Sequence, residues 1–382
     1  MMEWERFIDL EDCGEKRKYA EMSGNIEVYR IGRALVLQLP DDGYRVLSNG
    51  SYGGGFTDSP KAVINLGSFG GKLEWNMMGD REAVYECNRA AVSKMGYNLK
   101  EVVMECTAAN MENASVGTTE CNGVGISVAI TAGIRGNGGC AGDPAKFDEA
   151  ERYLETNGTI VILLSVDAEL SDTSMLRIMN MMTQAKSAVI QEMQAKSLYS
   201  HRLATGSGTD QIAVISHRNG VILEEFEQDS ALSASIVGLV RENLYRAFDW
   251  QSYMTPSEQC DAMVQLSRFG IDEQLMETEI RFPNRMKDLM DAKPVVFRDP
   301  YVVALFTAVS RLQDAVDEGI MTESAALPAA IRILKGGLAH LMPATALFDE
   351  RLMTSDSIPE LMSLALAMML QFRATRIQEG RA

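Results

Sequence analysis

The chain has 382 residues, which is long enough for more than one hydrophobic core, since single cores stop growing at roughly 250 to 300 residues. Its 53 acidic residues outnumber its 36 basic residues, and the formal net charge is -17. We therefore expect no nucleic-acid partner, because the neutralisation of phosphates requires a basic surface.

Targeting and metal-binding patterns are missing from the sequence. The first ten residues are charged and lack the apolar core of a secretory signal, and the longest apolar run near the end, residues 361–372, is shorter than the roughly 18 residues needed to span a bilayer. The six cysteines form no C-x-x-C pair, and three histidines accompany them. We expect a cytoplasmic protein with reduced thiols, no membrane insertion and no metal, although a metal held by Asp and Glu alone stays open.

The first two thirds of the chain alternate strand and helix patterns. The strand patterns lie at residues 26–48, 62–66, 102–106, 126–131 and 159–166. The first contains a hairpin with a turn at 40–43, and the last is an unbroken apolar run that predicts a central strand buried on both faces. Helical spacing occupies residues 82–95, 172–198 and 230–248, and Asp172 or Thr173 is the predicted cap of the second helix.

The pattern changes after Trp250, where only helical spacing remains. It occupies residues 260–269, 300–316, 325–341 and 359–377. The sequence therefore predicts an α/β fold, a layered sheet-and-helix domain over residues 1–250, followed by an all-helical domain over residues 251–382. We expect residues 1–250 to fold and bind ligand without the helical remainder.

Residues 203–216, Leu-Ala-Thr-Gly-Ser-Gly-Thr-Asp-Gln-Ile-Ala-Val-Ile-Ser, place a glycine- and hydroxyl-rich turn directly before an apolar strand. Gly206 and Gly208 allow a ligand to approach the main chain closely, and the buried strand would hold the turn in place. A second interpretation is a polar turn whose side chains bond nearby backbone groups.

An active site built on such a turn would need a nucleophile, a proton acceptor and donors for a developing negative charge, and this region offers all three types of group. Thr205, Ser207 and Thr209 are candidate nucleophiles or would position a water. Asp210 is a candidate base, and Lys186 is a candidate base or electrostatic stabiliser. Backbone N–H groups of the turn are candidate oxyanion donors.

These residues belong to an ordered set of segments. The others are Thr-Ala-Ala-Asn-Met-Glu-Asn-Ala at 107–114, Ile-Thr-Ala-Gly-Ile at 130–134, Gly-Asn-Gly-Gly-Cys-Ala-Gly-Asp-Pro-Ala at 136–145, Ala-Glu-Leu-Ser-Asp at 168–172 and Gln-Ala-Lys-Ser-Ala-Val at 184–189. The set resembles the adenosylcobinamide amidohydrolase family, whose members hydrolyse the aminopropanol amide of adenosylcobinamide to give adenosylcobyric acid in corrinoid salvage. The resemblance extends from about residue 26 to 248 and is strongest between 102 and 216.

The resemblance implies an amide-bond hydrolase whose corrinoid is the substrate, with no cofactor. Candidate contacts to this ligand are Asn137, Gly138, Asp143, His201, Gly206 and Gly208. Asp143 is also a candidate base. Family members often carry Arg where this chain has Cys140, which puts a possible charge contact in doubt. They often carry Thr where this chain has Ser207, and this difference keeps the hydroxyl group.

His201 lies four residues before Thr205, about 13 Å away if the segment is extended, which argues against a direct His–Thr relay. Two alternatives to the hydrolase remain. One is a corrinoid-binding carrier or sensor whose helical extension binds a second copy or a protein partner. The other, a phosphate or nucleotide binder, lacks the G-x-x-x-x-G-K-[ST] and G-x-G-x-x-G patterns.

Overall fold

In the computed structural model the described residues are 15–40, 43–50, 52–67, 81–145, 158–275, 286–343 and 350–380. The chain divides into two compact units, one comprising Met1–Met193 and Ala204–Thr255, the other Gln194–Leu203 and Pro256–Ala382. The first unit contains mixed sheets and helices and the second is helical, which confirms the predicted fold class. Independent folding of residues 1–250 stays a prediction.

The described strands all belong to the first unit. They are β1 Arg17–Met22, β2 Ile26–Ile31, β3 Ala34–Gln38, β4 Tyr44–Ser48, β5 Gly55–Asp58, β6 Ala62–Gly67, β7 Val102–Thr107, β8 Ser115–Cys121, β9 Val124–Gly133, β10 Gly138–Gly139, β11 Thr159–Leu170, β12 Gly206–Ser207 and β13 Gln211–Leu223. One sheet has the order β1-β2-β3-β6-β7, a second has the order β5-β4-β13-β11-β9-β8, and β10 pairs with β12.

Both large sheets are mixed. The β6–β7 and β11–β13 pairs are parallel, and the other described pairs are antiparallel. Strand β11 lies between β13 and β9 and is buried from residue 159 to 166, so the predicted central strand is confirmed. A hairpin is formed by β2 and β3, with its turn at residues 32–33. The prediction that a hairpin turns at 40–43 was wrong, because β4 leaves the sheet of β3 and pairs with β13 in the other sheet. Residues 41 and 42 of the predicted turn lie outside the described residues.

The two sheets pack face to face through one apolar cluster. Leu37, Val63 and Val103 contribute from the first sheet, and Val161 and Ala213 contribute from the second. Because side chains alternate along a strand, the neighbouring positions of these strands point away from the cluster, toward the helices. The unit is therefore layered helix, sheet, sheet, helix.

Three described helices longer than one turn cover the sheets: α1 Arg81–Lys94, α2 Asp172–Glu192 and α3 Ala231–Ser252. Helix α1 packs on the first sheet, and α2 and α3 contact the second. The predicted cap of α2 was wrong. Ser171 caps the helix, because its backbone is extended and its Oγ accepts a hydrogen bond from the Ser174 amide at 3.1 Å. Helix α2 ends before residue 198, since Gln194 has φ +54°.

The second unit contains the remaining described helices: α4 Ala262–Leu266, α5 Met286–Phe297, α6 Pro300–Asp317, α7 Glu323–Leu341, α8 Arg351–Thr354 and α9 Ile358–Gln378. They share one apolar core. The sequence analysis missed α5, which contains Pro294 and therefore lacks an uninterrupted helical pattern. Among the helices in the described ranges, none is long and apolar enough to cross a membrane.

Candidate functional site

A two-residue ladder joins the glycine-rich loop to the hydroxyl-rich turn. Gly138 pairs with Ser207, and Gly139 pairs with Gly206. The Thr205 amide adds a hydrogen bond to the Gly139 carbonyl at 2.8 Å. Two segments more than 60 residues apart in sequence therefore meet at this point, and their glycines allow the backbones to lie side by side.

A buried ion pair lies beneath the ladder. Lys186 on α2 donates to Asp210 Oδ2, and both side chains are 8% exposed. Asp210 also accepts from the Ser207 amide at 2.9 Å, the Ser207 hydroxyl at 2.6 Å and the Ile160 amide at 3.1 Å. A carboxylate has about four lone-pair sites, so these four donors satisfy it within the protein.

The position of Gly206 follows from this ion pair. A Cβ on Gly206 would lie 2.3 Å from Asp210 Oδ2 and 2.7 Å from Lys186 Nζ, distances that no real Cβ contact has. Gly208, in contrast, is exposed and has open space where a Cβ would be. The two glycines of the turn therefore have different roles, since only Gly206 is required by the packing of protein atoms.

Hydroxyl groups continue from the ion pair to Gly158. Ser207 Oγ lies 3.3 Å from Thr209 Oγ1, which lies 2.8 Å from Thr159 Oγ1. Thr209 also donates to the Gly158 carbonyl at 3.2 Å. We call Ser207, Thr209 and Thr159 the hydroxyl chain. It connects the buried carboxylate of Asp210 to Gly158.

Gly158 is also part of the wall of a cavity of about 320 Å³. The cavity is lined by Ala108, Ala109, Gly133, Arg135, Gly136, Gly158, Gln251 and Ser252. Ligand pockets commonly enclose roughly 300 to 1,000 Å³, so this cavity is at the small end of the range.

The residues of the glycine-rich loop that were predicted to contact the ligand make hydrogen bonds within the protein. Asn137 is buried, its Nδ2 donates to the Gly158 carbonyl, and its Oδ1 has no hydrogen-bond partner among the described residues. Asp143 accepts from the Cys140 amide at 2.7 Å and so shapes the loop. The Ala141 amide donates to Thr205 Oγ1 at 2.9 Å, which links this loop to the turn again.

His201 belongs to the other compact unit. Its ring meets Phe269 edge-on with 5.5 Å between the ring centroids, and its Nδ1 lies 3.4 Å from Asp317 Oδ2. The Arg268 guanidinium donates to its backbone carbonyl at 2.7 Å. These described contacts are all with residues of the helical unit, and a contact with substrate stays a prediction.

The sequence analysis missed a second buried carboxyl group, Glu105 on β7. Its side chain is fully buried, and Oε1 accepts from the Ser48 hydroxyl. Oε2 has no hydrogen-bond partner in the described part of the chain. Burial raises the pKa of Glu105 to about 7. The available signal was one charged residue at a core-facing position of the apolar strand Val102–Thr107.

Other polar groups surround Glu105 between the sheets. Asn65 is its neighbour on β6, donates to Thr131 Oγ1 at 2.9 Å, and has an Oδ1 with no described partner. Gln211 bonds both backbone groups of Cys106, at 2.9 and 3.0 Å. The start of β13 therefore separates two clusters, with Asp210 facing α2 and Gln211 reaching β7.

Within the described ranges, no three His, Cys, Asp or Glu side chains are placed to hold one ion.

Comparison with known proteins identifies the relatives of the first unit. The family model described as adenosylcobinamide amidohydrolase matches residues 20–255. The chain belongs to this family. It is also 30% identical over 138 residues to the uncharacterized protein MJ1613 of Methanocaldococcus jannaschii, a match that covers 32% of this chain and 54% of that protein. The chain thus spans about half the length of that curated relative.

Among solved structures, the chain is similar to the PH0078 protein of Pyrococcus horikoshii OT3. That match covers 64% of this chain and 82% of the other, with 11% identity and a TM-score of 0.25. At this TM-score the match indicates neither the fold nor the function of this chain.

Proposed function

We propose that this protein hydrolyses the aminopropanol amide of adenosylcobinamide, releasing adenosylcobyric acid and aminopropanol. One observation supports the proposal most directly. In a chain of the amidohydrolase family, the hydroxyl chain connects a buried carboxylate to Gly158 on the wall of a cavity. The corrinoid is the substrate in this proposal, and no cofactor takes part.

In the proposed first step, the Thr209 hydroxyl attacks the carbonyl carbon of the amide. For this the Thr209 hydroxyl turns its one proton from the Gly158 carbonyl to Ser207 Oγ, and the proton passes through Ser207 to Asp210 along contacts of 3.3 and 2.6 Å. Asp210 needs no vacant lone pair for this, because the proton moves within a hydrogen bond that already exists. Lys186 supplies the positive charge that balances the buried carboxylate. These are the parts of an activated nucleophile: nucleophile, base and a group that holds the base.

The amide nitrogen then leaves with the proton returned from Asp210, and water cleaves the ester formed on Thr209. The oxyanion needs a donor that is not already bonded. The amides of Ser207 and Thr209 donate to Asp210 Oδ2 and to Ser207 Oγ, so both are occupied. Gly208 is the exposed residue of the turn whose amide appears in none of the described hydrogen bonds. We assign the oxyanion contact to this amide.

The test is to incubate the purified protein with adenosylcobinamide and to measure adenosylcobyric acid by mass spectrometry. Thr209→Val should lower kcat by a factor of about 10² to 10⁴, the range typical of lost acid–base or nucleophilic assistance. Thr209→Ser should keep a large part of the rate. Ser235→Ala, which removes a hydroxyl on α3 that bonds the Ala231 carbonyl, is the control. Equal rates for Thr209→Val and the wild type would contradict the assignment.

Ser207 provides an independent test of the proton path. Ser207→Ala should lower kcat about as much as Thr209→Val, because the contact to Asp210 is lost. Ser207→Thr keeps the hydroxyl and should remain active. If both variants hydrolyse at the wild-type rate, the proton does not pass through residue 207.

A second candidate function is a corrinoid carrier or sensor without catalysis. The observation that favours it is the fully satisfied carboxylate of Asp210, which is also what a purely structural brace would show. Tight binding of adenosylcobinamide without formation of adenosylcobyric acid would support the carrier and reject the hydrolase.

We also propose a cytoplasmic location. The described cysteines at positions 87, 106, 121, 140 and 260 form no disulfide bond, which suits a reducing compartment. Binding of a second copy or of a protein partner by the helical unit stays a prediction.

A further inference from the structure

The cavity beside Gly158 has a property that the proposed hydrolysis does not use. Arg135 lies on the wall of this cavity. Its guanidinium group is exposed and makes one described hydrogen bond, from Nε to the Ser252 carbonyl at 3.0 Å. Its two terminal nitrogens have no acceptor within the described part of the chain. Arg135 therefore presents two guanidinium nitrogens without a described acceptor at the cavity wall.

The neighbouring amide is also arranged to donate. Gln251 Oε1 accepts from the Asn110 amide at 3.0 Å and from Asn113 Nδ2 at 3.0 Å. Both contacts fix the orientation of the Gln251 amide group. Its NH₂ end has no acceptor among the described hydrogen bonds, so it is available as a donor at the same cavity.

Two carbonyl groups of the cavity wall, those of Gly158 and Ser252, in contrast already accept hydrogen bonds. The Gly158 carbonyl accepts from Asn137, Thr159 and Thr209. The Ser252 carbonyl accepts from Arg135. A cavity with available donors and occupied acceptors favours an anionic oxygen ligand.

We propose that this cavity binds a phosphate ester carried by the aminopropanol arm of the corrinoid, with Arg135 as the phosphate-binding residue. This inference rests on the proposed function, because it names the substrate class of the same site. The planar guanidinium offers two parallel N–H donors that match phosphate oxygens. An uncharged aminopropanol hydroxyl would leave this cation without a counter-charge.

An oxyanion of the reacting amide is a poorer ligand for Arg135. The side chain is exposed, and solvent screens its charge, so it would contribute little to a charge that exists only in the transition state. A phosphate carries its charge throughout binding, which permits recognition at the mouth of a cavity. The phosphate can be a monoester or the phosphodiester that joins a lower nucleotide to the arm.

The experiment compares three corrinoids: adenosylcobinamide, its phosphate monoester and a corrinoid with a complete nucleotide loop. Arg135→Gln should lower kcat/KM about tenfold or more for a phosphate-bearing substrate, the loss expected for one charge-assisted contact, and leave adenosylcobinamide nearly unchanged. Arg135→Lys keeps the positive charge but loses the two parallel N–H donors, so its kcat/KM for a phosphate-bearing substrate should lie between those of the wild type and Arg135→Gln. Arg332→Gln, which removes an exposed arginine of α7, controls for net charge.

The two phosphate-bearing substrates separate the monoester from the diester, since the one that loses more rate in Arg135→Gln is the form that Arg135 recognises. An equal loss on all three corrinoids, or no loss on any, would overturn the inference.

A binding measurement keeps the inference separate from the proposed function. Titration with 1-amino-2-propanol phosphate should show binding to the wild type and to Arg332→Gln, and about tenfold weaker binding to Arg135→Gln. If no corrinoid is hydrolysed but this difference is observed, the proposed function fails and the phosphate site stands. If the wild type does not bind the phosphate, or both variants bind it equally, the phosphate site is rejected.

Discussion

Two carboxyl groups are buried in the α/β unit, and their surroundings differ in almost every respect. Asp210 accepts hydrogen bonds from four donors, one of them the Lys186 ammonium. Glu105 accepts one described hydrogen bond, from Ser48, and has no described cation beside it. Burial raises the pKa of Glu105 to about 7, because few donors and no described cation stabilise its charged form.

The difference shows what a buried carboxyl group needs for each role. Asp210 is paired and is connected through hydroxyls to Gly158 on a cavity wall, the position that the proposed base requires. Glu105 lies between two sheets with Gly50 packed against it, and a Cβ on Gly50 would lie 2.1 Å from Oε2. Connection to the cavity, rather than burial alone, distinguishes the candidate base.

The largest effect is expected when the cation beside Asp210 is removed. Lys186→Met leaves a buried charge unpaired, and such losses cost about 3 to 5 kcal/mol of unfolding free energy. Urea unfolding measures the change. Lys100→Met, at an exposed position of the same unit, should change stability by less than about 0.5 kcal/mol. Equal effects of the two substitutions would show that Lys186 does not compensate the charge of Asp210.

Glu105 should show the opposite behaviour, since its removal stabilises the protein at high pH. The pKa of Glu105 in the folded protein is raised to about 7 from the ordinary value of 4.5, so the folded state binds more protons than the unfolded state between these pH values. The free energy of unfolding should therefore fall as the pH rises from 4.5 to 7. The total loss is about 3 kcal/mol at 1.36 kcal/mol per pKa unit.

Glu105→Gln removes this titration and should remain more stable than the wild type above pH 7 by a similar amount. Unfolding free energies measured from pH 4.5 to 8 test this, with Glu101→Gln as the exposed control on the same segment. Parallel pH profiles for wild type and Glu105→Gln would show that Glu105 is ionised in the folded state.

Some features of the α/β unit could be predicted from the sequence. The central strand and the chemistry-bearing turn follow from local patterns: an apolar run at 159–166 and a cluster of hydroxyls, glycines and one carboxylate at 205–210. The contact of Lys186 with Asp210 depends on α2 packing beside β13, which no local pattern specifies. The sequence named both residues but not their pairing.

Most of the features that the sequence analysis did not predict depend on contacts between residues that are distant in sequence. Gly138 and Gly139 pair with the turn, but glycines carry no side-chain pattern that could indicate a strand. Glu105 could be seen to face the interior, yet its surroundings come from β4 and β6, which are distant in sequence. Residues 194–203 belong to the helical unit although no change of composition marks them.

The smallest effects should come from the two glycines of the turn, and they separate packing from ligand binding. Gly206→Ala places a methyl group against both members of the ion pair and should cost about 1 to 3 kcal/mol, the usual range for overpacking. Gly208→Ala meets no protein atom within 4 Å and needs no unusual backbone angle, so its melting temperature should match the wild type. We expect Gly208→Ala nevertheless to raise KM, because the ligand would occupy that open space. A Gly208→Ala protein with unchanged stability and unchanged KM would remove Gly208 from the binding surface, whereas loss of stability would mean that the turn packs differently around Asp210.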